Sequence, residues 1–557
     1  VVNARRYPLR GNRGNWKEYG LHISVKRAVQ QFGAAATTKS MINELKTLHE
    51  RGTWEPVLWS SLSGAQKRST IRSFIFLKDK YLADGTFEKL KSRLVGGGHM
   101  QDREVYGNVA SPTGGTVSLF IISIIAVIEK RHVATADIAS AYINADMDEE
   151  VLMRIDKDCS NVLCEVDSSY QPFVNNDGTI VVRLKKALYG CIQSALLWYR
   201  ELSSFLISIG FIANPYDECV FNKVFAGVGQ CTVFIYVDDL FVTCKSQEII
   251  VKVLDDIQRK YREVKRTYGS NHNYLGMTFN FLEDSVEIGM ESAIEEIIRS
   301  EKVERTATSP AGNNLFNISE DSVLLCDAEK EKFHSLVAKL LYIAKRVRPD
   351  ILTAVSFLST RIQYPTDEDL AKLSRILYYL NATHTLRLTL GCTEEKSILA
   401  FVDASFGVHP DGRSHNGQGT SWGRGLFLAS STKQKLVVKS STEAELVSSS
   451  DESSAVIGVC NFVKAQGREL GPAILYQDNQ STMAVIERGR FTGRNTKHVN
   501  VRYFFIKDRV EKGELEIRYL PTGDMIADGL TKPLQGALFR KHRDLMLGHL
   551  TLVSYKM

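Results

Sequence analysis

The segment VFIYVDDLFVTC (residues 233–244) places Asp238 and Asp239 side by side in a run that is otherwise almost wholly apolar. In one continuous strand the two side chains would point to opposite faces, and one carboxylate would enter the core. A hairpin with both aspartates at its tip avoids that burial. A plain turn explains the pair taken alone, since Asp is common in turns. However, tight hairpins favour Asn-Gly or Asp-Gly, so an Asp-Asp tip indicates a function beyond folding.

A third acid, Asp137, ends a strand-like run in HVATADIASAYINADMDEE (132–150), just before a helix-like segment. A helix N-cap is the alternative for this residue alone. The carboxyl ends of strands are where α/β sheets place ligands. Close carboxylates repel one another unless a cation neutralises them, so clustered Asp predicts a bound divalent metal. Mg²⁺ prefers a few carboxylates plus phosphate oxygens, and two such ions can serve phosphoryl transfer.

Composition gives the wider frame. The chain has 557 residues, a net charge of +6, 44% hydrophobic and 24% charged residues, which predicts several well-folded domains and is compatible with a polyanionic partner. Its nine cysteines include no CxxC pair, which favours reduced thiols in a cytosolic or nuclear setting. The longest apolar run, VSLFIISIIAVI (117–128), is too short to span a bilayer and predicts a buried helix.

The coarse pattern is a mixed α/β chain that ends in a separate α/β segment. Residues 71–98 predict a hairpin with ADG as its turn, and 271–290 predict a second hairpin followed by a helix. A polar Pro/Gly-containing stretch at 308–322 is the best domain boundary, and 328–383 is helical with a break at 348–350. From 396 onward we expect strands in SILAFVDASF, GTSWGRGLFLASS and KQKLVV, a helix from Ser441, then strands in AILYQDNQS and GELEIRYL. That order predicts a mixed sheet with flanking helices.

Three motifs, in order, resemble the A, B and C motifs of reverse transcriptases from Ty1/copia-type long-terminal-repeat retrotransposons. They are DIASAY (137–142), LKKALYGCIQSALLWY (184–199) and FIYVDDLFV (234–242). LKSRLVGGG (90–98) and YLGMTF (274–279) match the same family's fingers and primer-grip segments. The resemblance implies that Asp137, Asp238 and Asp239 hold two Mg²⁺ ions, with Mn²⁺ as a substitute, and that the backbone carbonyl of Ile138 assists.

The same resemblance assigns substrate contacts. Tyr142 matches the aromatic gate that excludes a ribose 2′-OH, with a buried core tyrosine as the alternative. Lys91 and Arg93 match the basic residues that hold the triphosphate, with solvated hairpin charges as the alternative. Gly190 matches the motif-B glycine that lets backbone approach the template base pair. The next residues, 191–195, lack the Lys and Pro that the family usually carries there, which places the template-side contacts in question.

A second set of acids occurs in FVDASF (401–406), STEAEL (441–446), YQDNQS (476–481) and MIADGLTKP (525–533). Their order and spacing resemble the ribonuclease H domain of these elements. The resemblance implies a second two-Mg²⁺ site with four metal ligands: Asp403, Glu445, Asp478 and Asp528.

Two of these assignments have rivals. Ser440 and Glu443 have the spacing of a capping box, which gives Glu443 a structural role and favours Glu445 as the ligand. Asp524 competes with Asp528, and the ADGLTKP sequence favours Asp528. The basic, aromatic stretch at 493–507 predicts either a hybrid-binding surface or a solvated helix face.

The resemblance implies an α+β and α/β multidomain fold: a right-hand polymerase with fingers, palm and thumb, a connection, and a C-terminal ribonuclease H-like mixed sheet. The expected segments are a basic tail (1–40), fingers and palm (41–270), primer grip and thumb (271–310), linker and connection (311–395), and the nuclease domain (396–557). The implied function is RNA- and DNA-templated DNA synthesis coupled to RNA cleavage in RNA:DNA hybrids. A non-catalytic nucleic-acid-binding relic and an integrase-type nuclease are the alternatives.

The implied partners are an RNA template, a DNA primer, the RNA:DNA hybrid and dNTPs, together with the element's own integrase and capsid, and no membrane. The implied location is the cytoplasm, in virus-like particles, or the nucleus.

Overall fold

The computed structural model describes residues 24–81, 87–104, 106–107, 109–393, 396–488 and 497–552. Three sequence predictions therefore fall wholly or partly outside the described residues: the tail up to residue 23, the ADG turn at 83–85, and the start of the basic stretch at 493–496. The chain divides into two compact units. The first comprises 1–112 and 138–209, and the second comprises 113–137 and 210–557.

The secondary structure is mixed along the whole chain. The helices are α1 (Val25–Phe32), α2 (Ala34–Glu50), α3 (Gly64–Ser69), α4 (Thr116–Ile128), α5 (Lys157–Val166), α6 (Ser194–Ser208), α7 (Gln247–Tyr261), α8 (Glu291–Ser300), α9 (Asp327–Ala344), α10 (Leu352–Ser359), α11 (Asp367–Thr383), α12 (Ser441–Ala465), α13 (Gln480–Arg488), α14 (Lys497–Glu511) and α15 (Gly536–Met546). The strands are β1 (Trp54–Val57), β2 (Ile71–Tyr81), β3 (Phe87–Gly96), β4 (His132–Ile138), β5 (Leu152–Ile155), β6 (Ile180–Leu184), β7 (Ile212–Asn214), β8 (Asp217–Phe225), β9 (Gly229–Tyr236), β10 (Asp239–Cys244), β11 (Val264–Tyr268), β12 (Asn271–Tyr274), β13 (Met277–Phe281), β14 (Ser285–Gly289), β15 (Leu388–Cys392), β16 (Leu399–Ser405), β17 (His415–Ser421), β18 (Gly423–Arg424), β19 (Leu426–Lys433), β20 (Ala473–Gln477) and β21 (Leu515–Tyr519).

The first unit is built on a five-stranded sheet in the order β1-β6-β5-β2-β3. Strands β2 and β3 pair antiparallel, which confirms the predicted hairpin, and side chains at the start of β2 alternate between buried and exposed. Helices α2 and α5 pack together, and α2 also packs on β3. Met41, Leu45 and Leu48 of α2 join a core with Ile71 and Leu94 of the hairpin.

The tail prediction was wrong in its extent, because helical structure begins at Val25. Ser24 caps α1 by accepting a hydrogen bond from the Arg27 backbone amide, and Ala28 is fully buried. A capped, amphipathic helix therefore lies within residues 1–40, a stretch whose basic charge suggested a tail.

The second unit begins with a six-stranded sheet in the order β11-β4-β10-β9-β8-β7. Strands β9 and β10 form the predicted hairpin, and β10 also pairs antiparallel with β4. Helix α4 is buried from Ser118 to Val127, which confirms the predicted core helix. No helix among the described residues is long and apolar enough to cross a membrane.

A third sheet, in the order β12-β13-β14-β15-β18, crosses two predicted domain boundaries. The stretch 271–290 forms three antiparallel strands, whereas a single hairpin was expected. Strand β15 then pairs with β14, and β18 pairs with β15. The boundaries at 310 and 395 therefore do not separate independent sheets. The helical run has the predicted break near 348–350, where a short 3₁₀ turn (Pro349–Ile351) follows α9, and a second break between α10 and α11 that was not predicted.

The fourth sheet, in the order β19-β17-β16-β20-β21, is mixed as predicted, with β20 parallel to both β16 and β21. Helix α12 begins at Ser441 and packs on β16. The strand predicted in KQKLVV was wrong, since β19 ends at Lys433. The buried Gln434 side chain donates hydrogen bonds to Asn416 Oδ1 (2.5 Å) and Ala444 O (3.0 Å), so tertiary contacts fix this segment outside the sheet.

Candidate active sites

Strand pairing brings the first three acids to one end of the second sheet. Asp239 begins β10 and lies directly opposite Asp137 of β4 on one side and Tyr236 of β9 on the other. Asp238 lies in the two-residue turn between β9 and β10. Asp137 is exposed and Asp238 is half-buried. Two acids more than a hundred positions apart in the chain thus become cross-strand neighbours.

The tip of the hairpin is shifted by one residue from the prediction. It consists of Val237 and Asp238, whereas Asp239 is already paired in β10. Val237 has φ of 59°, a conformation that β-branched residues rarely adopt. Such strain costs about 1–3 kcal/mol. The backbone conformation thus gives a second sign, after the paired aspartates, that this turn is not optimised for folding alone.

Burial and repulsion by its neighbours determine the electrostatics of Asp239. The pKa of Asp239 is raised to about 6, first by burial and then by the charges of Asp238 and Asp137. The buried Tyr274 hydroxyl donates a hydrogen bond to the Asp239 backbone oxygen at 3.0 Å, which holds the start of β10 in place. Ile138, the expected carbonyl ligand, is fully buried at the end of β4.

In the first unit, Tyr142 follows β4 in a 3₁₀ turn, Ala141–Asn144, and is half-buried. Its ring lies 4.5 Å from that of Tyr189, and the Arg93 guanidinium lies 5.0 Å from the centre of the Tyr189 ring. Arg93 and Lys91 both lie on β3 and are half-buried. The Tyr189 ring therefore contacts both Tyr142, the expected aromatic gate, and Arg93, one of the residues expected to bind the triphosphate.

Position 190 requires glycine because two backbone segments of the chain approach each other closely there. It has φ of 90°, and a Cβ placed on it would lie 2.2 Å from the Gly96 carbonyl oxygen. The Gly98 amide donates to the Gly190 carbonyl at 3.1 Å, and a Cβ on Gly98 would lie 2.1 Å from that same oxygen. Two glycine backbones therefore pack against each other, a constraint that exists before any template is considered.

The atypical residues after Gly190 are held by internal hydrogen bonds. Gln101 receives a hydrogen bond from the Ile192 backbone amide at 2.9 Å and donates one to the Gln193 side chain at 3.0 Å. The Ser194 hydroxyl donates to Leu188 O at 2.7 Å, at the start of α6. The residues that differ from the family pattern therefore lie in a segment that is held by several internal hydrogen bonds.

The second set of acids forms a compact cluster. One carboxylate oxygen from each of Asp403, Glu445 and Asp478 lies within 4.8 Å of the others. Asp403 is on β16, Glu445 is near the start of α12, and Asp478 directly follows β20. The parallel pairing of β16 with β20 and the packing of α12 on β16 bring the three elements together.

Hydrogen bonds distinguish Glu445 from its rival. Glu445 accepts from the Ala404 amide at 3.1 Å and from Gln477 Nε2 at 3.3 Å, beside the cluster. Glu443 accepts from the Lys439 amide at 2.8 Å, and its own amide donates to Ser440 Oγ. Glu443 therefore serves the helix start, and Glu445 lies with the other acids.

Asp528 joins the cluster through a lysine that sequence reasoning missed. Lys532 Nζ lies 2.7 Å from Asp528 Oδ1 and 3.3 Å from Asp403. The rival Asp524 pairs instead with Lys541 at 2.5 Å. Lys532 follows Asp528 by four residues, a spacing that could have suggested the pair. Thr531, which donates to Asp403, was missed as well.

The pKa values of two of these acids are raised by burial and by the charges of the neighbouring carboxylates. Burial, followed by Asp403 and Asp478, raises the pKa of Glu445 well above its usual range. Burial and Asp403 raise that of Asp528 to about 7, although Lys532 opposes this shift. Grouped carboxylate oxygens are hard donors that fit Mg²⁺ or Mn²⁺, and a divalent cation would relieve the repulsion. The residues present therefore fit the implied metal.

Comparisons with known proteins agree with the sequence motifs. Residues 59–312 match the family model described as reverse transcriptase (RNA-dependent DNA polymerase). The resemblance to copia-type reverse transcriptases is confirmed. The chain is 29% identical over 84% of its length to the Retrovirus-related Pol polyprotein from transposon RE1 of Arabidopsis thaliana, covering 31% of that protein. It is 26% identical over 98% of its length to the corresponding polyprotein from transposon TNT 1-94 of Nicotiana tabacum, covering 40% of that protein.

The chain thus spans about a third of the length of the curated relatives it matches. Among solved structures, a prototype foamy virus protease-reverse transcriptase matches 87% of this chain and 53% of its own chain, at 11% identity and a TM-score of 0.26. The expected α+β and α/β multidomain class stands on the four sheets and their flanking helices.

Proposed function

We propose that this chain is a DNA polymerase that copies RNA and DNA, joined to a nuclease that cuts the RNA strand of RNA:DNA hybrids during retrotransposon replication. The observation that carries the polymerase half is the strand register that sets Asp239 opposite Asp137, with Asp238 in the adjoining turn. The family match over residues 59–312 supports the same half. Coupling the two activities is chemically sensible, because copying RNA leaves a hybrid whose RNA strand must be removed.

In the polymerase site, Asp137, Asp238 and Asp239 would hold two Mg²⁺ ions, or Mn²⁺ as a substitute. When bound, such a pair activates an attacking oxygen and stabilises the leaving one. The contribution of Asp239 depends on its ionisation, because its pKa is about 6. We propose that Tyr142 excludes the ribose 2′-OH and that Arg93 and Lys91 bind the triphosphate, where the planar guanidinium suits bidentate contact.

In the nuclease site, Asp403, Glu445, Asp478 and Asp528 would hold the metal ions, and water would be the nucleophile. The three-acid cluster supports this half of the proposal. The hybrid would be bound through phosphate and 2′-OH contacts without base readout, so binding would weaken with salt.

The proposed substrates and partners are an RNA template, a DNA primer, the hybrid and dNTPs. On family resemblance we further propose association with the element's own integrase and capsid. We also propose a cytoplasmic location in virus-like particles, with passage to the nucleus.

One assay tests both halves. Purified protein with Mg²⁺ is given a DNA primer on an end-labelled RNA template, and both primer length and template fate are scored. We expect Asp238→Asn to abolish extension and spare RNA cleavage of a preformed hybrid, and Asp403→Asn to do the reverse. Asp524→Asn is the matched control, since Asp524 pairs with Lys541 outside the cluster. Wild-type protein without either activity would instead indicate a non-catalytic relic.

A further inference from the structure

The second unit contains a polar junction that links the six-stranded sheet with the end of helix α12. We call it the junction, and it consists of Glu129, Gln230 and Thr232 on the sheet side and Gln466 and Arg468 on the helix side. Domains within one chain usually move relative to each other unless the contact between them is extensive. The junction is therefore of interest because the two elements that it joins lead at their far ends to the two sets of acids.

The first link is an ion pair with little exposure. Arg468 Nη1 lies 3.1 Å from Glu129 Oε1, and the two side chains are 18% and 21% exposed. The other carboxylate oxygen of Glu129 lies 3.1 Å from Arg131, whose side chain is 2% exposed. The Arg468 guanidinium also lies 5.7 Å from the ring centre of the fully buried Trp422. Both partners are thus held in place by additional contacts, which lowers the entropy lost in pairing.

The second link is a hydrogen-bond network. Gln230 Nε2 donates to Gln466 O at 3.2 Å and lies 3.3 Å from Gln466 Oε1, while the Thr232 hydroxyl donates to Asn222 Oδ1 at 2.9 Å. Arg131 Nη1 donates to Thr232 Oγ1 at 3.2 Å, so the ion pair and the network share one arginine. Gln466 is nearly fully buried, which makes these bonds costly to leave unmade.

The two elements that meet at the junction, β9 and α12, each lead to one of the two sets of acids. Gln230 and Thr232 lie at the start of β9, and its other end leads into the turn that holds Asp238. Gln466 directly follows α12, whose first turns carry Glu445. The apolar residues of the six-stranded sheet, the third sheet and the fourth sheet also form one continuous core. That core holds the sheets together, and the junction sets how the start of β9 lies against the end of α12, the two elements that lead to the acid sets.

We propose that the junction fixes the distance along a bound hybrid between primer extension and RNA cleavage. This inference rests on the proposed function and adds positioning residues to it, foremost Arg468 and Glu129. With the junction intact, RNA would be cut at one narrow range of positions behind the primer terminus. With the junction broken, the nuclease part would sample several placements, and the cuts would spread.

The test uses the full chain and a hybrid whose primer end occupies the polymerase site. Arg468→Glu places a second carboxylate against Glu129, and Arg468→Gln is the milder variant should the first fail to fold. Lys464→Glu makes the same charge change on an exposed position of α12 and serves as the matched control. Loss of one charge-assisted hydrogen bond corresponds to about a tenfold rise in the population whose junction contacts are open.

We expect both Arg468 variants to broaden the distribution of cut positions while primer extension on a long template keeps its wild-type rate. Hydrogen exchange of the β9 amides at 229–232 should accelerate about tenfold in these variants and stay unchanged in Lys464→Glu. Unchanged cut positions in an active Arg468→Glu protein, or unchanged exchange, would overturn the inference. Wild-type protein with neither activity would refute the proposed function itself, which is a distinguishable result.

Discussion

Replacing Lys532 by methionine removes the one side chain whose ammonium contacts both Asp403 and Asp528 in the described cluster. Methionine keeps much of the aliphatic stem and deletes the charge. The two carboxylates are 4% and 6% exposed, so they would lose their counter-charge in a largely dry environment. We expect metal-free protein to become less stable in the proposed nuclease region, residues 396–557.

The magnitude follows from the contacts. A hydrogen bond to a charged group contributes about 1.5–3 kcal/mol, and the 37% exposure of the Lys532 side chain argues for about 2 kcal/mol in total after solvent screening. For a region of this size, a loss of 1 kcal/mol lowers the midpoint temperature by about 2–4 °C. The expected decrease for Lys532→Met is therefore about 4–8 °C.

Differential scanning calorimetry at pH 8, with chelator and then with Mg²⁺, measures the effect. Lys541→Met is the matched control, because its pair with Asp524 is more exposed and contributes about 0–1 kcal/mol. Mg²⁺ should narrow the difference between Lys532→Met and wild type, since the cation binds where the ammonium charge is missing. Equal midpoints for the two methionine variants in chelator would refute the reasoning.

Three further outcomes are expected. Asp528 and Asp239 have pKa values raised to about 7 and about 6, so the folded metal-free protein holds their protons more tightly than the unfolded chain. Its stability should therefore fall as the pH rises from 5 to 8, and calorimetry should show a flatter profile for Asp528→Asn. Gly190→Ala should destabilise the first unit by about 2–4 kcal/mol more than Gly52→Ala in urea unfolding, because both glycines have positive φ but only the first faces a carbonyl at clash distance. Tyr142→Val should raise ribonucleotide incorporation relative to dNTP incorporation in primer extension, whereas Tyr142→Phe should retain discrimination.

The local elements were predictable because their patterns are short-range. The β9–β10 hairpin, the buried helix α4 and helix α12 each follow from periodicity or composition within one segment. The pairing of β15 and β18 with the third sheet was not predictable, because those strands come from distant parts of the chain and register depends on partners. The one-residue shift of the hairpin tip has the same origin. Only the register places Asp239 in a ladder and leaves Val237 strained.

The acids themselves were predictable as motifs, but the long-range contacts of their counter-charges were not. Lys532 lies in a stretch that was quoted for its aspartate, and no local pattern shows that its ammonium reaches Asp403, which is 129 positions away. A similar limit applies to Arg468, whose pairing with Glu129 bridges 339 positions. Charged partners brought together by tertiary structure leave no periodic trace in the sequence.

Raised carboxyl pKa values occur in both acid sets, but one set also has the ammonium of Lys532 as a counter-charge, and this difference has a consequence for metal dependence. In the proposed nuclease cluster an internal ammonium already offsets part of the repulsion, and it would be displaced if a divalent cation bound the same oxygens. A proton competes at both sets, because the pKa is raised to about 6 at Asp239 and to about 7 at Asp528. Acidification should therefore weaken metal binding at both sets through direct competition by protons. At the nuclease set, removing Lys532 should strengthen metal binding even where the pH is constant.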